Sequence, residues 1–144
     1  MTIFVEHLVG IDKLPDAHYV RAEVFQREQG ISATDDYDGL DDTAEQFVAY
    51  EDGNPIGTAR YRVLPDEVGK VERVAVIKEH RSKKVGRAIM ESIAVTAKQK
   101  GLAKLVLDSQ LSAADFYESL GYQKDGDEFD EVGIPHVKMV LGLM

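Results

Sequence analysis

The sequence predicts a mixed α/β domain of the α+β kind, with a mixed sheet and helices packed on its faces. Three observations carry that expectation. Segments with strand-like alternation and segments with helical apolar spacing succeed one another in the order β-α-β-β-β-α-β-α-β-β. The 144 residues suit one domain, 1–144, without low-complexity tract, internal repeat or dividing linker. Hydrophobic residues make up 44% and charged residues 30%, a balance that favours a packed core over disorder.

The elements follow in order. Residues 2–9 read as a short strand. Residues 16–28 read as a helix, with Pro15 just ahead of it and Val20, Val24 and Phe25 at helical spacing. The stretch "ATDDYDGLDDTAE" is an acidic loop that comes near a calcium-loop pattern, with Asp36, Asp38, Asp42 and Glu45 in acidic positions around Gly39. Thr34 in the first position and a strand after Glu45 speak against calcium and leave a solvated or substrate-attracting loop. "QFVAYEDGNPIGTARYRVL" predicts two strands joined by a tight turn at Asp52-Gly53-Asn54. A further strand is expected over 71–77, then the strongest helix over 84–100, whose stripe is Val85, Ile89, Ile93 and Ala97. "AKLVLDS" reads as a buried strand. "SAADFYESLGY" reads as a short helix with Ser112 as its N-cap, and the tail "YQKDGDEFDEVGIPHVKMVL" as two strands around a loop.

Composition narrows the function. A formal net charge of −9 argues against broad nucleic-acid binding, which depends on many Lys and Arg contacts to phosphate. The absence of cysteine removes disulfides, thiolate zinc sites and cysteine nucleophiles, and fits a cytoplasmic setting. The opening "MTIFVEHLVG" meets Glu6 and His7 before a long apolar run and does not read as a signal peptide. The apolar stretches are too short to span a bilayer, so a membrane partner is not expected. His7, His18, His80 and His136 show no metal-ligand spacing, and G-x-S-x-G is missing.

Two places attract attention. Between a strand and a helix, His80, Arg81, Lys83, Lys84 and Arg87 gather around Gly86. Unsatisfied N–H groups at a helix start, with cations beside them, can hold an anion. The same residues can form an ordinary solvated turn. On the helix 112–120, Phe116 and Leu120 should face the core, leaving Tyr117 at the edge of that stripe, half-buried with its hydroxyl in water.

Taken together, "VERVAVIKEHRSKKVGRAIM" and "ADFYESLGY" resemble the GNAT superfamily of acetyl-CoA-dependent N-acetyltransferases. The first block is similar to the family's Q/R-x-x-G-x-G/A motif, at Arg81-Ser82-Lys83-Lys84-Val85-Gly86, and the second to its later motif of an FY pair followed by LG and an aromatic. "RAEVFQREQG" and "EFDEVGIPHVKM" further resemble a branch of small stand-alone members of generally unassigned substrate. The resemblance implies a twisted, mostly antiparallel sheet of about six to seven strands with helices on both faces. It implies transfer of an acetyl group from acetyl-CoA, the co-substrate, to a primary amine by direct attack in a ternary complex, without metal. It assigns Val74, Ala75 and Val76 to the pantetheine arm, and the backbone of Arg81, Ser82, Lys83, Lys84, Val85 and Gly86 to the pyrophosphate, with Arg87 as a nearby cation. Tyr117 matches the family tyrosine that protonates the leaving thiolate, while Glu72 and His136 are candidate bases. Phe25, Glu28 and Tyr37 are candidates for the lining of the pocket for a small-molecule or peptide amine, and homodimers are frequent in the family.

One position departs from the pattern. Lys84 stands where the motif has its first glycine, and a positive φ there would cost a lysine on the order of 1 kcal/mol. Two alternatives to the amine acetyltransferase stand beside it. One is a non-catalytic acetyl-CoA sensor or partner domain; the other is a longer-chain acyltransferase akin to acyl-homoserine-lactone synthases, which "RAEVFQREQG" resembles in part.

Overall fold

In the computed structural model, which describes residues 3–8, 14–41 and 43–143, alternating apolar residues assemble one eight-stranded sheet. Its strands are β1 (Ile3–Leu8), β2 (Glu45–Glu51), β3 (Asn54–Leu64), β4 (Val68–Val76), β5 (Lys104–Gln110), β6 (Gln123–Lys124), β7 (Phe129–Glu131) and β8 (Ile134–Gly142). The order is β1-β2-β3-β4-β5-β8-β6, with β7 also on β8. Every pairing is antiparallel except β4 with β5. The strand expected over 2–9 is β1; residues 2 and 9, like Asp42 of the calcium-like pattern, lie outside the described residues. The count exceeds the expected six to seven because the tail adds the two very short strands β6 and β7.

Helices cover both faces. On one side lies α3 (Val85–Gln99), whose Val85, Ile89, Ile93 and Ala97 are all fully buried, as their spacing requires. They meet Phe47, Ala49, Ala59, Tyr61 and Val71 from the strands, and α4 (Ala114–Ser119) adds Ala114 and Tyr117. Gly57 lets α3 come this close: a Cβ there would sit 2.8 Å from Val85 and 2.9 Å from Ile89. The other side carries α1 (Leu14–Arg21), with Ala17 against Val48 and Tyr50, and Val20, Val24 and Phe25 against Ala75. The helix expected over 16–28 is not regular throughout. From Ala22 to Glu28 it widens into a π-helical segment, a local form that often occurs near functional sites.

Strand β4 carries a bulge. Thr58 pairs with Ala75 and Arg60 with Glu72, so Arg73 and Val74 together face the single residue Ala59. Arg73 adopts a φ of +58°, the left-handed conformation usual for the first residue of a glycine-type bulge. The extra residue reverses the alternation. Val71 faces the α3 side before it, whereas Ala75 faces α1 after it and Val74 and Val76 pack toward the α3 core.

The acidic loop is largely exposed, as expected, and Asp35 and Asp36 reach a cleft at the centre of the sheet, but its carboxylates also have a structural task that the sequence did not show. It folds into a short helix, α2 (Ala33–Asp36), and a turn that deliver carboxylates to buried arginines. Arg21 and Arg60 are essentially unexposed. Arg21 donates to Asp36 (3.0 Å) and Asp41 (2.8 Å), and Arg60 to Asp38 (2.5 Å), Asp41 (3.0 Å) and Glu72 (3.1 Å). Arg73 lies 3.2 Å from Asp36. The result is a buried ionic layer between α1 and the sheet.

Candidate active site

The sheet parts at its centre. β4 and β5 pair only from Val68 with Lys104 to Val71 with Leu107. Beyond that point they separate, and a cleft of about 550 Å³ lies between Glu72–Val76 and Asp108–Gln110. Val24 and Phe25 line it from the α1 side, Phe116 and Tyr117 from α4, and Glu131 and His136 from the β7–β8 hairpin. The β4 edge facing the cleft has no strand partner there, so its backbone polar groups are open to a ligand.

At one end stands the basic turn. Lys78–Lys83 form a 3₁₀ turn leading into α3, with Lys84 as the N-cap at φ 61° and ψ 29°. The lysine therefore does occupy the left-handed conformation that favours glycine. The first backbone bond within the helix runs from Ala88 N–H to Lys84 C=O (3.1 Å), leaving the N–H groups of the first turn without helical acceptors. Gly86 also has a packing reason to be glycine, since a Cβ would lie 3.1 Å from the Phe116 ring.

The structure brings most of the expected site residues together. Val74, Ala75, Val76, Arg81, Lys84, Gly86, Arg87, Glu72, Tyr117, His136 and Phe25 all line the cleft. Ser82, Lys83, Val85, Glu28 and Tyr37 do not. Val85 is buried in the α3 core, and Lys83 donates to Glu51 (2.9 Å). Glu28 accepts two bonds from Arg81 (2.8 and 2.5 Å), which hold its carboxyl below the ordinary range, and Arg81 also donates to the Val76 carbonyl (3.0 Å). Tyr37 packs on His18 and beneath the Arg21 guanidinium.

Tyr117 sits deeper than expected. It is 7% exposed, edge-on to Phe116 (5.0 Å) and Tyr122 (5.8 Å). The reason is the start of α4. Leu111–Ala113 form a 3₁₀ turn, and the helix begins at Ala114 without a side-chain cap from Ser112, which turns Ala114 and Tyr117 inward. Burial pushes the phenol well above its ordinary value, so it holds its proton at neutral pH.

The two candidate bases differ in their surroundings. Burial pushes the Glu72 carboxyl up, but bonds from Arg62 (2.7 Å) and the charges of Arg60, Arg62 and Lys70 outweigh it and lower it overall. His136 is buried, with Nδ1 2.7 Å from the Ile134 carbonyl. A carbonyl only accepts, so Nδ1 carries the hydrogen and Nε2 keeps its lone pair in the neutral ring. Sequence reasoning missed Arg21, Arg60, Arg62 and Arg73 beside the cleft; the one local signal was the alternation Thr58-Ala59-Arg60-Tyr61-Arg62, which puts both arginines on one strand face. Among the described residues no cluster of His, Asp and Glu could hold a metal ion, and no helix is long and apolar enough to cross a membrane.

The fold and sequence have relatives. Residues 13–143 match the acetyltransferase (GNAT) domain family. The uncharacterised N-acetyltransferase YjcF of Bacillus subtilis is 39% identical over 90% of this chain and 92% of its own length. The crystal structure of a provisionally named N-acetyltransferase from Lactobacillus plantarum superposes with a TM-score of 0.92 at 30% identity, covering 100% of both chains. An aminoglycoside 6′-N-acetyltransferase complexed with coenzyme A shares the fold alone, with a TM-score of 0.76 at 10% identity over 98% of this chain and 97% of its own. With a family model matching nearly its whole length and a relative 39% identical over most of both chains, the chain belongs to the GNAT acetyltransferases and is an acyltransferase.

Proposed function

We propose that the protein transfers an acetyl group from acetyl-CoA to a primary amine of a small molecule or peptide, by direct attack with both substrates bound. The observation that carries this reading is the cleft between the parted strands, lined at once by an unpaired β4 edge, Tyr117 and His136. Acetyl-CoA supplies the activated thioester. The residues present fit it: the polar edge at Val74, Ala75 and Val76 suits the amides of a pantetheine arm, the Val76 carbonyl once Arg81 leaves it. The open N–H groups around Lys84, Val85 and Gly86, with Lys84 and Arg87 beside them, suit a pyrophosphate. Ser82 and Lys83, whose side chains lie outside the cleft, contribute through the backbone, and Arg81 contributes its charge on leaving Glu28. Coenzyme A in the aminoglycoside acetyltransferase of the same fold supports this, as does the N-acetyltransferase name of YjcF.

His136 is the base in this reading, because its Nε2 is free to take a proton whereas the Glu72 carboxylate is engaged by arginines. Glu72 instead anchors the cleft wall on Arg60 and Arg62 behind it, and Phe25 lines the same cleft. Glu28 and Tyr37 act from behind that wall by holding Arg81 and Arg21. Tyr117, kept protonated by burial, gives its proton to the leaving thiolate. The test is release of free thiol from acetyl-CoA with a panel of amines, amino acids, polyamines and peptides. Turnover of at least one is expected; binding of acetyl-CoA with turnover of none overturns the reading. Tyr117→Phe is expected to lower kcat about a hundredfold while leaving acetyl-CoA affinity nearly unchanged.

A further inference from the structure

The tight hairpin between β7 and β8 sets up a second carboxylate beside the base. Val132 and Gly133 form its turn, both with positive φ (48° and 76°), which places Glu131 opposite Ile134 and Phe129 opposite His136. Strand alternation then puts all four residues on one face, with Glu131 and His136 diagonal to each other. His136 Nε2 lies 3.5 Å from Glu131 Oε2, and Phe129 stacks on the imidazole at 5.9 Å. Their exposures differ sharply: the His136 side chain is 7% exposed and that of Glu131 53%. A buried imidazole thus has its one basic nitrogen near a carboxylate that reaches water.

Apart from Lys84 and Arg87 at the basic turn and Asp35 on α2, the charged groups lining the cleft are already engaged. On β5, Gln110 pairs with His136, and Asp108 lies 3.7 Å from Lys70. On β4, Glu72 is held by Arg60 and Arg62, and Arg73 by Asp36 and Asp38; from α4 comes the neutral Tyr117. Among the described residues, Glu131 is the acidic partner of the His136 ring.

We infer that Glu131 is the positioning and proton-relay partner of His136, receiving from its Nε2 the proton that the acceptor ammonium gives up. This inference rests on the reading of His136 as base. In the step, an N–H bond of the ammonium breaks and its electron pair stays on the amine nitrogen, which becomes the nucleophile. The proton bonds to Nε2, Nδ1 keeps its own hydrogen on the Ile134 carbonyl, and the imidazolium faces the Glu131 carboxylate. Once the acceptor has moved away, the exposed Glu131 side chain closes the 3.5 Å to Nε2, and passage of the proton to Oε2 and on to water restores the neutral base.

The experiment compares Glu131→Gln, Glu131→Asp and His136→Gln in the full chain, using pH–rate profiles with an amine that the panel shows to be turned over. Glu131→Gln is expected to lower kcat about tenfold, to move the acidic limb of kcat/KM to lower pH, and to leave acetyl-CoA affinity unchanged. Glu131→Asp should recover part of both effects. A large loss in His136→Gln with no change in rate or limb for Glu131→Gln overturns the relay alone. An unchanged rate in His136→Gln overturns the base reading beneath it.

Discussion

The two faces of the sheet are built from the same strands by opposite means. Toward α3, Phe47, Ala49, Tyr61 and Val71 make a dry apolar layer. Toward α1, their strand neighbours include Gln46, Arg60 and Glu72, which join Arg21, Asp36 and Asp41 in a buried ionic one. Apolar packing tolerates changes of shape within limits and is indifferent to pH. Buried ion pairs add little net stability over an apolar layer, but they are severely disrupted when one partner goes. Stability therefore resides mainly on the α3 side. The α1 side is where a wall of the cleft is held in position, because Glu72 and Arg73 belong at once to the ionic layer and to the cleft.

The largest expected effect breaks the ionic face. Arg60→Ala leaves Asp38, Asp41 and Glu72 without their shared cation and should cost about 3–5 kcal/mol in urea unfolding at neutral pH. Ile93→Ala on the opposite face should cost about 2–5 kcal/mol through its cavity. Acid should tell the two apart. Hydrogen bonding by Arg60 holds Asp38 down to about 2, and Glu72 is also lowered overall, its arginine partners outweighing the upward push of burial. A carboxyl with a depressed folded value stabilises above its ordinary range near 4. That contribution is lost as pH falls through the folded value. The deficit of Arg60→Ala relative to the parent should thus shrink between about pH 4 and pH 2, while that of Ile93→Ala stays level; parallel shrinkage of both would remove the distinction.

The smallest effect concerns the basic turn, which belongs to neither layer. Lys84→Gly relieves a left-handed lysine and should stabilise the fold by about 1 kcal/mol. It also removes a cation from the cleft, so acetyl-CoA should bind more weakly. Thermal unfolding and a binding titration give the two signs separately. Unchanged affinity would take Lys84 out of the donor site.

What could be read from the sequence was what is local. The stripe of α3, the Asp52-Gly53 turn and the strand–turn–helix around Arg81 are each set by residues within a few positions, and they stand where expected. The ionic layer was not legible, because its partners Arg21, Asp36, Asp41 and Arg60 are far apart in the chain and a run of aspartates looks solvated. Nor was the β4 bulge, since Arg73 takes a conformation for which a glycine would have been the signal. The depth of Tyr117 followed from a 3₁₀ turn that delays α4 and rotates it, a shift that helical spacing alone does not report.

That bulge has a consequence for how the gene encoding this strand can change. In a regular strand, loss of one residue inverts inside and outside for everything after it. β4 already contains its extra residue. Deleting Arg73 would restore an unbroken ladder with Val74 opposite Ala59, and would leave Ala75 facing α1 and Val74 and Val76 facing α3. The strand can therefore lose its bulge residue without inverting, and what Arg73 supplies at this point is the local bend together with its ion pairs to Asp36 and Asp38.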